Sequence, residues 1–206
     1  MVVVVDYQAG NLASVVRALT ALGAQSRVTE EPEEVARASR VVFPGVGAAG
    51  KAMAVLRQRG LDEALRQVMS RGVPLLGICL GAQIILEFSE ENDTPCLGLL
   101  SGRAKALPRQ PGIKIPHMGW NRVDFVRPHP VFADLPPTAE YYFVHSYFPE
   151  PARPEMVAGI TEHGGPFVSA VAWENLVATQ FHPEKSGRFG LHILANFLAW
   201  DGTLAQ

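Results

Sequence analysis

Two reactive side chains stand out by their surroundings, Cys79 in "GICLGAQ" (77–83) and His182 in "FHPEKS" (181–186). Cys79 lies between Gly77 and Gly81 at the end of an apolar run, where Ala or Val would fill a core more safely. The order G-x-C-x-G is that of a nucleophile elbow, in which flanking glycines let the chain turn sharply from strand to helix. A thiol in the first turn of a helix feels the positive end of its dipole, which favours thiolate. The backbone N–H of Leu80 would be free to face an oxyanion. The same residues also suit a small hydrophobe in a core, the common fate of a free cysteine. Cys96, between Pro95 and Leu97, has no such setting and reads as buried.

A nucleophilic thiol needs a base. His182 and Glu184 are two apart, with Pro183 keeping the chain extended between them, so both side chains point the same way. The carboxylate can then take one ring N–H while the other nitrogen faces a cysteine, the logic of a catalytic triad. A surface turn with an exposed charge is the competing reading. His145 in "YYFVHSYF" is a rival base without an acidic neighbour. The third piece is "PGVGAAG" (44–50), whose Gly45, Gly47 and Gly50 fit a dinucleotide fingerprint. It follows the third strand, however, and Asp62 and Glu63 lie in a helical pattern where a strand end is required. Its N–H groups can equally face an oxyanion beside the cysteine; a plain turn is also open.

These residues need a frame. At 206 residues, 48% hydrophobic and 18% charged, the chain reads as one globular domain spanning 1–206. A net charge of −2 with scattered, mostly arginine cations gives no stripe for nucleic acid and no acidic-membrane patch. The apolar runs are too short or too glycine-broken to span a bilayer. Met1 leads straight into a strand-like run, so no signal peptide and a cytoplasmic location are expected. No histidine cluster has metal-ligand spacing, and no cofactor is expected.

The first half alternates strands at 2–6, 25–28, 40–44 and 73–78 with helices that begin near Asn11, Pro32, Leu61 and Leu80. Asn11 is expected to cap the first, whose apolar face is Leu12, Val15, Val16, Leu19 and Leu22. Such alternation predicts a parallel sheet with helices on both faces. From 97 to 181 short extended runs separated by Pro and Gly predict antiparallel strands. "KIPHMGWN" (114–121) reads as a turn with a half-buried Trp120, "YFVHSY" (142–147) as a core strand and "LHILANFLAW" (191–200) as a helix.

Taken together, "PGVG", "GICLGAQ" and "FHPEKS" resemble the class I, triad-type glutamine amidotransferases in order and spacing over nearly the whole chain. "DYQAGNLASV", "KIPHMGWN" and "YFVHSY" look like the glutaminase subunits of imidazole glycerol phosphate synthases of histidine biosynthesis. Gln8 stands where their opening motif commonly has glycine, and Ala82 where methionine is frequent. The resemblance implies an α/β fold with a central, mostly parallel sheet flanked by helices and additional antiparallel strands in the C-terminal half. It implies a triad of Cys79, His182 and Glu184, and an oxyanion site from N–H groups of Val46 or Gly47 and of Leu80. Gly47, Gln83, His145, Ser146 and Tyr147 would surround glutamine. A (β/α)8-barrel cyclase would form the heterodimer partner and take the ammonia, against a face that includes Asn11, Trp120, Tyr142 and Lys185. If the oxyanion loop needs a backbone flip, Gly45 and Gly47 permit it, and the free chain would be nearly inactive. A glutaminase of another pathway, or a binding subunit that has lost the chemistry, are the alternatives.

Overall fold

The computed structural model describes residues 1–8 and 10–203; Ala9, inside the "DYQAGN" stretch, lies outside them. The β-branched run Val2–Val5 forms strand β1, and helix α1, Leu12–Ala21, turns Val15, Ala18 and Leu19 inward. Ser26–Thr29 (β2), Pro32–Arg37 (α2) and Val41–Gly45 (β3) continue the alternation, with Pro32 starting α2 and Glu33 and Glu34 in its first turn. Two helices follow, Ala49–Arg59 (α3) and Leu61–Ser70 (α4), hinged on Gly60 in left-handed backbone. Then come Leu75–Cys79 (β4) and the short Leu80–Ile84 (α5).

The second half supplies Phe88–Ser89 (β5), Thr94–Pro95 (β6), Gly102–Ala106 (β7), His117–Arg122 (β8), Asp124–Phe125 (β9), Glu140–His145 (β10) and Tyr147–Pro151 (β11). Val157–Glu162 (β12), Pro166–Trp173 (β13), Leu176–Thr179 (β14) and Gly187–Ala199 (α6) complete it. The central sheet has eight strands in the order β2-β1-β3-β4-β14-β13-β12-β9. Pairing is parallel from β2 to β14 and antiparallel beyond. A four-stranded sheet, β11-β7-β5-β6, and the pair β10-β8 stand beside it.

Alternation along β1 sorts the core onto two faces. Val3 and Val5 pack with Val35, Leu56 and Leu65 of α2, α3 and α4. Val2 and Val4 pack with Val15 and Leu19 of α1 and Ile193 and Phe197 of α6. Helices therefore cover both faces of the sheet, as a parallel sheet without a wet side requires. Among the described residues no helix is long and apolar enough to cross a membrane.

Three expectations need correction. Helix α3 begins at the end of the glycine-rich stretch 44–50 and runs on where no element was expected, because its inward residues begin with the small Ala49 and Ala52 and its apolar stripe is weak. "YFVHSY" is two strands, since Ser146 ends β10 in one sheet before β11 begins in another. "KIPHMGWN" runs into a strand, β8, on which Trp120 is 55% exposed.

Candidate active site

Strand β4 delivers Cys79 to its end, at φ 55° and ψ −105°. A non-glycine residue in that region stores about 1–3 kcal/mol of strain and persists only where its surroundings hold it. Gly81 is part of what holds it: a Cβ there would lie 2.0 Å from the Phe43 carbonyl oxygen, so only glycine lets α5 sit this close to β3. Helix α5 is five residues long, so its dipole is smaller than the sequence suggested and side chains dominate the sulfur's environment. The thiol points its hydrogen toward the Val144 carbonyl at 3.9 Å, and Gln180 Nε2 donates to the sulfur at 3.6 Å.

Strand β14 runs parallel beside β4, and the chain leaving it carries His182 and Glu184. The His182 backbone is pinned, its N–H donating to the Tyr142 carbonyl at 2.9 Å and its carbonyl accepting from Ser186 Oγ at 2.6 Å. Its Nδ1 donates to Glu184 Oε1 at 2.7 Å, and both side chains are buried, which excludes the surface-turn reading. Nε2, the other ring nitrogen, is buried with no hydrogen-bond partner among the described residues. Burial works against an imidazolium here, yet the Cys79 sulfur and the Glu184 carboxylate outweigh it and push His182 up to about 10.

Asn11 does not cap α1 with its side chain. It sits in left-handed backbone at φ 66°, and its Nδ2 donates to the same Glu184 oxygen that His182 uses. Gln8 is likewise left-handed, at φ 64°, a conformation that glycine adopts without steric cost. Its N–H is tied to Asp6 Oδ1 at 2.9 Å.

Cys79 opens onto a cavity of about 280 Å³. Val46, Gly47 and Leu80 line it, as do Gln83, His145, Ser146 and Tyr147. His145 does not have the free nitrogen of a base. Its Nδ1 donates to the Tyr147 carbonyl at 2.8 Å and its Nε2 accepts from His117 Nδ1 at 2.9 Å. Burial, with neighbouring imidazoles adding to it, pushes His145 down to about 3.

Two polar residues of the site were not singled out in the sequence. Glu91 lines the cavity with its Oε2 accepting the Ala49 N–H at 2.6 Å. Gln180 is fully buried against the sulfur. Nothing in the pattern around Glu91 marks it. Gln180, two residues before His182, could have been found by the same i, i+2 argument that paired His182 with Glu184.

Cys96 is the second free cysteine. Its Sγ–H points to the Thr94 carbonyl at 3.4 Å and burial pushes its thiol up to about 11. A larger concavity of about 660 Å³ between Phe125 and Ala133 contains no cysteine or carboxylate. Among the described residues no group of three or more His, Cys, Asp or Glu is placed to hold a metal ion.

Of the four residues expected at a partner face, three cluster. Trp120 faces Tyr142 across the β8-β10 pair with ring centroids 6.1 Å apart, and Lys185 Nζ lies 5.9 Å over the Tyr142 ring. Met118, 63% exposed, extends this apolar strip along β8. Asn11 meets the carboxylate of Glu184, the residue before Lys185.

The glutamine amidotransferase class-I family matches residues 3–200. The chain is 46% identical over 198 residues to imidazole glycerol phosphate synthase subunit HisH of Dehalococcoides mccartyi, covering 96% of each. It is 50% identical over 197 residues to the subunit of that name in Moorella thermoacetica, covering 95% of this chain and 93% of the relative. A solved structure of PurLQS from Thermotoga maritima shares the fold, with a TM-score of 0.76 at 19% identity over 96% of this chain and 97% of that one.

Proposed function

The chain belongs to the class-I glutamine amidotransferases and, within them, to the HisH subunits of imidazole glycerol phosphate synthase, and we propose that Cys79, His182 and Glu184 perform its glutamine hydrolysis. The observation that supports this most is the buried His182–Glu184 pair at 2.7 Å, with Nε2 left over for a thiol held on a strained turn.

The Cys79 sulfur attacks the side-chain carbonyl carbon of glutamine. The C=O electron pair moves onto oxygen, where N–H groups of Val46 or Gly47 and of Leu80 stabilise it. As the C–N bond breaks, His182 Nε2 gives its proton to the departing nitrogen and ammonia leaves a thioester on Cys79. His182 then takes a proton from water, the hydroxide adds to the thioester, and the C–S bond breaks to free glutamate and the thiolate. Glu184 keeps Nδ1 protonated through both halves, and Asn11 holds Glu184 in register. Gly47, Gln83, His145, Ser146 and Tyr147 shape the substrate cavity within one 206-residue domain.

Ammonia released into water becomes ammonium, which is no nucleophile. The product is therefore consumed by a cyclase subunit that makes imidazole glycerol phosphate and aminoimidazole carboxamide ribonucleotide in histidine biosynthesis. We assign that subunit as a (β/α)8 barrel forming a heterodimer over Trp120, Tyr142 and Lys185, with Asn11 at its border, in the cytoplasm. Glutamate release by the purified chain, alone and with the cyclase and its nucleotide ligand, tests this. A large rise on mixing is expected. Equal rates would remove the cyclase as partner, and no glutamate in either would remove the chemistry from Cys79.

A further inference from the structure

The mechanism above leaves Gln180 unused, yet this side chain is fully buried and bonded at both ends. One end faces Gln83 Nε2 at 2.9 Å, and the other lies 3.6 Å from Cys79 Sγ. Which end is nitrogen follows from the neighbours. The Tyr147 carbonyl can only accept, so the end of Gln83 that meets it at 2.9 Å is the NH2 group. That NH2 also meets Gln180, whose facing atom must then be the oxygen. The Gln180 NH2 is thereby turned onto the sulfur. His145 Nδ1 takes the second position on the Tyr147 carbonyl, and His117 holds the His145 ring from behind. Rotating Gln83 would set its oxygen against the Tyr147 carbonyl, and rotating Gln180 would set its NH2 against that of Gln83, so the orientation is held at both residues.

Resting on the role proposed for Cys79, we propose that Gln180 is a further catalytic residue, whose side-chain N–H holds the Cys79 sulfur as its anion. It acts twice. It favours the thiolate that attacks glutamine, and it receives the thiolate again when the C–S bond of the thioester breaks with its electron pair on sulfur. His182 Nε2 is then free to serve nitrogen and water. Gln83 is the positioning residue that aims Gln180. The other groups around the sulfur divide by sign. The Val144 carbonyl at 3.9 Å favours the protonated thiol. The Tyr7 phenol, kept protonated by burial and then by Cys79, approaches from the chain after β1. His182, backed by Glu184, supplies the positive charge, while neutral His145 and the Glu91 carboxylate line the cavity. Gln180 adds a neutral donor to this set.

The test is the rate of Cys79 alkylation by iodoacetamide against pH, read by mass spectrometry on the chain assembled with its cyclase. Wild type, Gln180→Leu and Gln180→Glu are compared, with thermal midpoints measured alongside. Mass spectrometry reads Cys79 apart from Cys96, whose thiol burial pushes up to about 11. The inflection of the wild-type profile should rise by about one unit in Gln180→Leu, making alkylation roughly ten-fold slower below it, and further in Gln180→Glu. A purely structural role would lower the thermal midpoint and kcat without moving the inflection, and an unchanged inflection overturns the proposal. Should both variants fail to fold, Gln83→Leu leaves Gln180 in place but unaimed, and an unchanged inflection there overturns it equally. Protection of Cys79 by glutamine checks the underlying reading separately. Protection with an unmoved inflection removes only Gln180, whereas absent protection removes Cys79 as nucleophile.

Discussion

His182 and His145 stand around the same thiol, both buried, and differ in opposite directions: one is pushed up to about 10, the other down to about 3. Depth does not separate them, since burial lowers both. Their partners do. His182 faces a carboxylate and a sulfur, so a proton on it is welcomed; His145 faces a carbonyl on one side and another imidazole on the other, and a proton on it has only the Tyr147 carbonyl in its favour. A buried site can thus favour the charged form of one imidazole and the neutral form of another.

The largest break in this comparison should come from removing the charged side of it. His182→Ala is expected to lower kcat for glutamine hydrolysis by about 10³-fold or more, as is Cys79→Ser, in steady-state glutamate release with the cyclase present. A loss under ten-fold in His182→Ala would mean another group moves the proton. Glu184→Gln keeps the shape and removes the charge, and kcat should fall, by less than in His182→Ala. Its alkaline limb should also move to lower pH, because the imidazolium has lost a supporting anion. His145→Gln should cost roughly ten-fold or less, mostly in KM, since both of its ring nitrogens are already hydrogen-bonded. A kcat loss equal to that of His182→Ala would erase the distinction between the two rings.

The smallest effect is thermodynamic, and its sign differs between the two. His182 is raised above its unfolded value near 6.5, so its stabilisation is complete below that pH and is lost as pH climbs toward about 10. The gap in Tm between wild type and Glu184→Gln should therefore shrink by a few degrees between pH 6 and pH 10, in thermal melts. His145 acts in reverse: its value is lowered, so stability falls as pH drops from about 6.5 toward 3. A His145→Gln variant should lose less of its Tm than wild type over that acid window.

Much of this was legible in sequence where a residue's type and its period agree. β1, α2, β3 and α4 stand within a residue or so of where β-branched runs, the early proline and the 3.6-residue spacing put them. The glycines around Cys79 announced a tight turn because so little else explains them. Illegible were the features that depend on what a distant segment brings. Ser146 separates two sheets, but an alternating run of aromatics gives no sign of where its partners change. Asn11 reads as a helix cap because that is the local use of asparagine, and only the fold brings Glu184 to it. Gln180 reads as one polar residue in a strand exit, its meaning supplied by Gln83 about a hundred residues away.

The neighbouring, parallel course of β4 and β14 has a consequence for how this architecture can diverge. Thr179 sits beside Ile78 in the ladder, so Cys79 and the segment that carries His182 leave adjacent rails of one sheet. The two rails lie about 4.8 Å apart, whatever the length of the excursion between them. That excursion holds the two smaller sheets and the Trp120–Tyr142 face, and it can be lengthened, trimmed or resurfaced for a different recipient of ammonia while the reacting atoms keep their places.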